Sequence, residues 1–248
     1  MHAIVDEKQW IERYFDGCGL SERGLERLSR ASSVVHWRPR EKYEFSPQNN
    51  PRKVFFLLEG TVISGCKVVE NRFAYRHLIS AGQWVGEIGV MEPEFPPFFA
   101  MAAQAATLME IEADDLRKIM MDEPLFNYQL ITRCAQRMNR LQARQQAMLT
   151  QSSHDRILAF LCEFALGHGL RQGGEMEVPN FLNHNDIARF TATSRQSVNT
   201  LLTRLRREGQ LDYNEEQILI PGDKLSQWQL GFQSRFPYFS ELGVTAVV

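Results

Sequence analysis

The sequence predicts an α+β protein in which an antiparallel β-domain, a long helix and a small helical domain follow one another. Residues 41–112 contain short β-type runs separated by Gly, Pro and Asn, which is the pattern of an antiparallel sandwich or barrel. Over residues 124–152 the apolar residues take up a helical spacing, longer than in most globular helices. Residues 183–209 then contain two short helical patterns joined by a turn.

Length and charge favour a two-domain protein with an uneven charge distribution. The chain has 248 residues, of which 44% are hydrophobic, enough for one core of fair size or two smaller ones. Its formal charge is −2, so it lacks the overall basic charge of many nucleic-acid binders. Residues 181–210, however, contain five arginines and only two acidic residues. This local surplus makes the segment a candidate for contact with a polyanion.

The cysteines and the first residues favour a reducing compartment. The four cysteines form no CxxC pair and no metal-type cluster: Cys18, Cys66, Cys134 and Cys162. Free thiols are therefore expected. Residues 1–15 carry charges throughout, unlike a secretion signal, and no apolar run approaches the ~18 residues of a membrane helix. We expect a cytoplasmic protein with no membrane contact, metal or cofactor.

The β-domain is predicted to consist of short strands behind a helical preface at residues 6–30. The strand-type runs are KYEF, KVFFLLEG, TVISGCKVV, FAYRHLIS and TLMEIE. In FAYRHLI the two-residue period of a strand predicts that four side chains share one face: Phe73, Tyr75, His77 and Ile79. EFPPFFAM, residues 94–101, is predicted to be an apolar loop made rigid by its two prolines.

The helix predicted over residues 124–152 carries a narrow seam at steps of three and four residues. Its positions are Ile131, Cys134, Met138, Leu141, Gln145 and Met148, with Gln145 as the polar interruption. This spacing favours a dimer-forming coiled coil. A helix lying on its own domain is the alternative, although its apolar face is usually broader. A break at residues 151–153 leads into a second helix, whose glycines 167 and 169 suit a left-handed residue at its end.

Residues 183–209 are the most informative segment. Asn183 can cap the first helix, and Thr193 with Gln196 fits a capping box for a second helix that ends at Gly209. One face of the second helix is apolar, with Val198, Leu201, Leu202 and Leu205. The other face is polar and, with His184 of the first helix, supplies the candidate DNA-binding residues: Arg195, Gln196, Asn199, Thr203 and Arg206.

The side-chain types on this polar face suit base reading in the major groove. Arg can form two hydrogen bonds to guanine, and Gln or Asn can form two to adenine. An ordinary solvated helix face is the alternative, since these residues are common on surfaces. LDYNEEQILIP then predicts two strands around a polar turn at residues 214–217, the small β-wing that often flanks such helices. The aromatic-rich tail either folds back on this domain or binds another protein: Trp228, Phe232, Phe236, Tyr238 and Phe239.

Taken together, these segments resemble the cyclic AMP receptor protein/FNR (Crp/Fnr) family of bacterial transcription regulators. The resemblance is carried by LLEGTV and AGQWVGE in the β-domain, by the long helix, and by DIARFTATSRQSVNTLLTRLRREGQL. It implies a jelly-roll sensor domain like those that bind cyclic nucleotides (1–123), a dimerisation helix (124–152) and a winged helix-turn-helix (153–248). It also implies a homodimer that binds a palindromic operator in double-stranded DNA and works with RNA polymerase.

The family resemblance does not extend to the operator sequence. Ser194-Arg195-Gln196-Ser197 occupies the place of the family's Ser-Arg-Glu-(Thr/Ser), which begins the recognition helix. A carboxylate accepts from cytosine, whereas the amide of Gln196 suits adenine. The base preference of this chain is therefore expected to differ.

The effector site that the resemblance implies also departs from the family. Members that bind cyclic nucleotides carry Gly-Glu, here Gly86-Glu87, and further on an Arg-(Ser/Thr) pair that holds the cyclic phosphate. Pro97 and Phe98 occupy those positions, and no Arg or Lys occurs between Gly86 and Leu116. Because a buried phosphate needs a paired cation, the sequence predicts that cyclic AMP does not bind.

Two alternatives remain for this site. The rings fill it and no effector is needed, or it is an apolar pocket for an uncharged molecule of unknown identity. The candidate pocket residues include two helix positions where family members offer hydroxyls to the purine: Glu87, Phe98, Phe99, Leu141 and Gln142.

Competing classes of function find less support in the sequence. An iron–sulfur cluster would need a group of cysteines, and a lone His36 or His77 is more often structural than a haem ligand. The sequence lacks a Gly-rich phosphate loop, an HExxH zinc signature and a GxSxG elbow. A non-enzymatic DNA-binding regulator is therefore preferred to an enzyme or to a protein-interaction module with a vestigial cyclic-nucleotide-like fold.

Overall fold

The computed structural model describes Trp10 and residues 13–48, 52–69, 72–92 and 94–235. Contacts divide the chain into two compact units, residues 1–136 and 137–248. Each unit combines helices with an antiparallel sheet, so the predicted α+β class is confirmed.

Two four-stranded antiparallel sheets form the first unit. Its strands are β1 (Ser32–Trp37), β2 (Lys42–Phe45), β3 (Lys53–Glu59), β4 (Thr61–Val69), β5 (Arg72–Ser80), β6 (Trp84–Val85), β7 (Phe98–Ala102) and β8 (Ala106–Glu112). They pair in the orders β1-β8-β3-β6 and β2-β7-β4-β5. The helices are α1 (Glu22–Ala31), α2 (Ile88–Met91) and α3 (Ala113–Asp122). Non-consecutive strand neighbours of this kind are expected for a jelly roll.

The core between the two sheets is mainly aromatic and aliphatic. It includes Phe55 and Leu57 from one sheet and Phe45 and Val62 from the other. The outer face of the first sheet is covered by α1, α3 and the helical residues 13–15, which bury Leu28 and Leu116 among others. The predicted helical preface is thus confirmed within the described residues.

Half of the predicted EFPPFFAM loop is a strand. Residues 98–101 belong to β7, which pairs with β2 and β4, so the loop prediction is wrong for them. The two prolines lie just before the strand, at exposed positions 96 and 97. They therefore remove no hydrogen bond from the ladder, and the apolar residues that follow, Phe98 to Ala102, can pair normally.

The predicted common face of β5 is also wrong, because the strand contains a bulge. His77 pairs with Ser64, whereas Tyr75 pairs with the next residue, Gly65. Since neighbouring residues of β4 point to opposite faces, one extra residue in β5 moves Tyr75 to the face opposite His77. Tyr75 and Phe73 consequently contact Phe99 on the outer face, while Ile79 lies in the inter-sheet core with Val62.

The long helix and the break after it are close to their predicted positions. Helix α4 covers Pro124–Thr150, and Ser152 caps α5 (Ser153–His168) by accepting from the Asp155 N–H. The predicted left-handed end is wrong, because Gly169 has φ −86°. A Cβ at Gly169 would lie 2.6 Å from the Ala165 carbonyl oxygen, so close packing, not backbone handedness, requires glycine here.

The second unit combines α5 with a helix pair and a four-stranded sheet. Its remaining elements are β9 (Leu170–Gln172), β10 (Glu175–Pro179), α6 (His184–Thr191), α7 (Arg195–Arg207), β11 (Asp212–Tyr213), β12 (Gln217–Pro221) and α8 (Gly222–Arg235). The sheet order is β11-β12-β10-β9. Phe160 of α5 stacks on Phe190 of α6 with ring centres 5.0 Å apart. Trp228 and Phe232 are buried, as one prediction for the tail required, whereas residues 236–239 lie outside the described residues.

All four cysteines are free thiols, as predicted. Cys162 is fully buried, and burial raises its pKa to about 12. Within the described ranges, no helix combines the length and the apolar character needed to cross a membrane.

Candidate nucleic-acid interface

Helices α6 and α7 form a helix-turn-helix whose ends are defined by side-chain caps. The Asn183 side chain accepts from the N–H of Asp186, and the Asp186 carboxylate accepts from the N–H of Asn183, which completes a capping box. The turn begins at Ala192, which has a left-handed φ of 50°. The two helices are thus joined by a short, well-defined turn.

The cap of α7 differs from the sequence prediction. Ser194, not Thr193, is the N-cap, because its hydroxyl accepts from the Ser197 N–H at 3.0 Å. The Thr193 hydroxyl instead shares a hydrogen bond with Thr191 at 2.8 Å inside the turn. The helix also ends at Arg207, and Gly209 follows with the left-handed φ of 66° that favours glycine after a helix.

Arg156 braces the turn between the two helices. Its guanidinium donates to the carbonyl oxygens of Thr191 at 2.9 Å and Ala192 at 3.1 Å, and to that of Gln151 at 2.8 Å. Carbonyls at the end of a helix lack partners within the helix. Arg156 satisfies two of them, and it helps to hold Ala192 in a conformation that costs a residue with a Cβ about 1–2 kcal/mol.

The predicted division of α7 into an apolar and a polar face is observed. Val198, Leu201, Leu202 and Leu205 are buried. The side chains of the predicted polar face are exposed: Arg195, Gln196, Asn199, Thr203 and Arg206. Four of these residues are three or four positions apart and form one polar stripe along the helix: Arg195, Asn199, Thr203 and Arg206.

His184 lies next to the first residue of this stripe. It is the first residue of α6 and is half-buried. Burial, and in addition the charge of nearby Arg195, lowers the pKa of His184. Its ring centre is 6.4 Å from that of Tyr213 in β11.

Two residues of the wing, which the sequence prediction missed, contact the last residue of the polar stripe on α7. Asp212 Oδ1 lies 2.7 Å from Arg206 Nε, and the Tyr213 ring centre lies 5.2 Å from the Arg206 guanidinium carbon. The sequence placed β11 correctly, but strand residues carry no signal for which helix they contact. The order β11-β12 around residues 214–216 agrees with the predicted wing, except that Gln217 belongs to β12.

The remaining arginines of α7, Arg204 and Arg207, are not part of the stripe. Arg204 contacts His154 Nε2 and lies 3.7 Å from Glu208. Burial, and to a lesser extent the Arg204 charge, lowers the pKa of His154. Arg207 is exposed at the end of the helix.

The residues predicted for an effector pocket are divided between the two units. Glu87 is buried, and its Oε1 lies 3.8 Å from the Cys134 sulfur of α4. Phe98 points into the inter-sheet core, whereas Phe99 contacts Phe73 on the outer face of the same sheet. Leu141 and Gln142 belong to the second unit, and both are exposed.

Rings occupy the region beside Gly86. Phe45 and Phe98 are stacked, with ring centres 4.4 Å apart and planes within 4°, and Phe95 meets Phe98 edge-on at 5.7 Å. A Cβ at Gly86 would collide with the Phe45 ring. The space left beside Phe45, Gly86 and Phe95 is about 10 Å³, no more than a single water molecule needs.

The predicted dimer seam is exposed along most of its length. Ile131, Met138 and Met148 are about half exposed, at 50%, 56% and 45%, and Gln145 is exposed as well. Tyr128 and Leu149 extend this surface with further exposed apolar side chains. Cys134 differs from the other seam positions, because it is partly buried and faces Glu87.

Comparisons with known proteins agree with this arrangement. Residues 155–222 match the family model of the Crp-like helix-turn-helix domain. A CRP-like cAMP-activated global transcriptional regulator of Mycobacterium tuberculosis is 21% identical over 202 residues, which cover 82% of this chain and 90% of that protein.

Solved structures with the same fold include two bacterial proteins. The c-di-GMP-responsive global regulator CLP of Xanthomonas campestris superposes with a TM-score of 0.68 at 17% identity, over 81% of this chain and 99% of that one. FixK2 of Bradyrhizobium japonicum gives a TM-score of 0.67 at 17% identity, over 79% and 96%. At these identities the structures establish the fold, and the domain match confirms the predicted resemblance.

Proposed function

Since the chain contains a Crp-like helix-turn-helix domain and shares the fold of the CRP/FNR regulators, we propose that it regulates transcription as a homodimer on a palindromic operator. The observation that carries this proposal is the capped helix α7, with its apolar face buried and its polar stripe exposed. Arg195, Gln196 and Asn199 lie in the first turns of α7, the part of a recognition helix that reaches base edges. The proposed role is non-enzymatic.

The exposed seam of α4 supports the homodimer. An apolar stripe at three- and four-residue steps would be costly to leave in water, and a second copy of the same helix would bury it. Two copies related by a two-fold axis would present two α7 helices to half-sites about one helical turn of DNA apart. A palindromic operator follows from this symmetry. We further propose that the protein acts in the cytoplasm together with RNA polymerase.

The β-domain is proposed to act without a cyclic nucleotide. The M. tuberculosis relative is described as cAMP-activated, but this chain has no Arg or Lys between Gly86 and Leu116. The stacked rings of Phe45 and Phe98 support a filled site, and an apolar, uncharged ligand would have to displace them.

Calorimetric titration with cyclic AMP tests this part of the proposal. We expect no binding, because leaving a buried phosphate without its cation costs about 3–5 kcal/mol, or a factor of about 100 to several thousand in affinity. Micromolar binding would contradict the filled-site assignment. Cyclic GMP serves as a second probe with the same phosphate.

Selection of duplexes from random-sequence DNA with the full chain tests the proposed function directly. The expected result is enrichment of one palindromic sequence, with binding that weakens steeply as salt is raised. A selection that enriches no sequence, although the protein is folded, would overturn the proposal.

A further inference from the structure

Tyr213 lies alongside the polar stripe of α7. Its ring contacts Arg206, the last residue of the stripe, at 5.2 Å. The Tyr213 ring centre also lies 6.4 Å from that of His184. His184 is in turn close enough to Arg195, the first residue of the stripe, for the Arg195 charge to contribute to the lowered pKa of His184. A duplex lying along the stripe would therefore pass beside Tyr213.

Arg206 contacts two residues of the wing. Its Nε lies 2.7 Å from Asp212 Oδ1, so the carboxylate offsets its charge. The guanidinium carbon lies 5.2 Å from the Tyr213 ring centre, within the range of a cation–π contact. Arg206 thus joins the two residues of β11 to the end of the recognition helix.

The rest of the wing is poorly suited to phosphate. Its charged side chains are all exposed carboxylates: Asp212, Glu215 and Glu216. Carboxylates repel phosphate and have no hydrogen to donate at neutral pH. From Glu208 to Asp223 the sequence contains no Lys or Arg, so any contact of this segment with the DNA backbone must use a neutral donor.

The turn of the wing is fixed by its own hydrogen bonds. Asn214 Oδ1 accepts from the N–H groups of Glu216 and Gln217, both at 2.8 Å. The Asn214 carbonyl oxygen accepts from the Asn180 amide at 2.5 Å. These bonds hold the strand that carries Tyr213, so its phenol is a donor on a rigid support.

We propose that Tyr213 is a DNA-contacting residue of the wing, donating its hydroxyl hydrogen to a backbone phosphate, and that Arg206 is the positioning residue that holds it there. The inference rests on the proposed function and deepens it. It also replaces the expectation that Arg206 itself contacts DNA. A neutral hydroxyl strengthens binding without displacing a counterion, so its contribution does not depend on salt in the way an arginine contact does.

The first test is Tyr213→Phe, measured on the selected operator and on random-sequence DNA at several salt concentrations. The expected result is a loss of affinity of about three- to tenfold on both DNAs, the usual value of one hydrogen bond. The dependence of log affinity on log salt should keep its slope. Affinity equal to that of the wild type on both DNAs would overturn the role of Tyr213.

The second test separates positioning by Arg206 from direct contact. Arg206→Met should weaken binding, because it releases Tyr213 and leaves Asp212 unpaired near the phosphates. The double variant Arg206→Met/Asp212→Asn has the same net charge as the wild type but still releases Tyr213, so it should bind about as weakly as Tyr213→Phe and keep the wild-type salt slope. A double variant whose slope is lower by about one would show that Arg206 contacts a phosphate itself, and one that binds as tightly as the wild type would show that Tyr213 does not need Arg206.

Arg171→Met is the matched control, since Arg171 is an exposed arginine on β9, at the opposite edge of the same sheet. It measures the general effect of losing one positive charge. Failure of the proposed function itself is distinguishable, because the wild type would then bind no DNA with sequence preference or salt dependence. Thermal unfolding of each variant confirms that it is folded.

Discussion

Phe98 belongs to an aromatic cluster beside Gly86. It stacks on Phe45 and meets Phe95, while Gly86 provides the room that the Phe45 ring requires. Aromatic pairs at these distances contribute about 0.5–1.5 kcal/mol beyond the area they bury. Phe98 is therefore expected to stabilise the β-domain.

Phe98→Ala should lower the free energy of unfolding by about 2–3 kcal/mol, somewhat below the range for a fully buried Phe because Phe98 is half-buried. Urea denaturation of the full chain measures this loss. Val68→Ala, at a position 62% exposed in the same domain, is the control and should change stability by less than about 0.5 kcal/mol. An unchanged stability of Phe98→Ala would argue for an open pocket.

His168 is expected to make the stability of the protein depend on pH. Its ring lies 5.2 Å from Phe164 and 5.6 Å from Phe181, and burial lowers its pKa to about 4. In the unfolded chain a histidine takes up its proton near pH 6.5. Between these values the unfolded state binds more protons, so the stability contribution is complete above about pH 6.5 and is lost as pH falls towards 4.

We expect the wild type to lose about 2 kcal/mol more than His168→Phe between pH 7 and pH 5. Unfolding by urea at the two pH values gives the difference directly. The comparison cancels the effects of His154 and His184, which both proteins share. Equal pH dependence in the two proteins would show that His168 titrates normally in the folded state.

At the scale of the element, helix α4 combines two roles along its length. Its first turns pack on the β-domain, where Phe126 and Leu130 are buried and Cys134 faces Glu87. Most of its apolar seam is exposed, and the exposed side chain of Tyr128 extends this surface. These apolar side chains are exposed in a single copy of the chain, so we expect them to pack against the same helix of a second copy.

Replacing Met138 and Leu141 with glutamate should therefore give monomers in sedimentation analysis, since two carboxylates in a dry seam cannot be neutralised by a symmetric partner. Operator affinity should fall with the loss of the dimer. Gln136→Glu is the control, because Gln136 is exposed and lies on the opposite side of the helix by the 3.6-residue period. A double variant that still sediments as a dimer would refute the seam.

For the molecule as a whole, the order of the β-domain, the long helix and the helix-turn-helix could be predicted from the sequence, and so could the division of α7 into two faces. These features depend on local periodicity, on caps such as Asn183 and on turn residues, all of which are properties of short segments. The features that could not be predicted depend on pairing across the chain. The bulge in β5 is set by its register with Gly65, and Gly169 is required by packing against Ala165. Tyr213 became a candidate only when β11 was found beside Arg206.

If α7 reads base sequence, the Arg195→Ala variant should lose affinity for the selected operator but much less for random-sequence DNA. Arg195 is exposed at the start of α7, where a recognition helix approaches the bases. Base reading by Arg195 predicts a loss of roughly 1–3 kcal/mol on the operator, relaxed preference at one base pair of each half-site, and a much smaller loss on random DNA. An equal loss on both DNAs would contradict it, because Arg195 would then contact only the phosphate backbone.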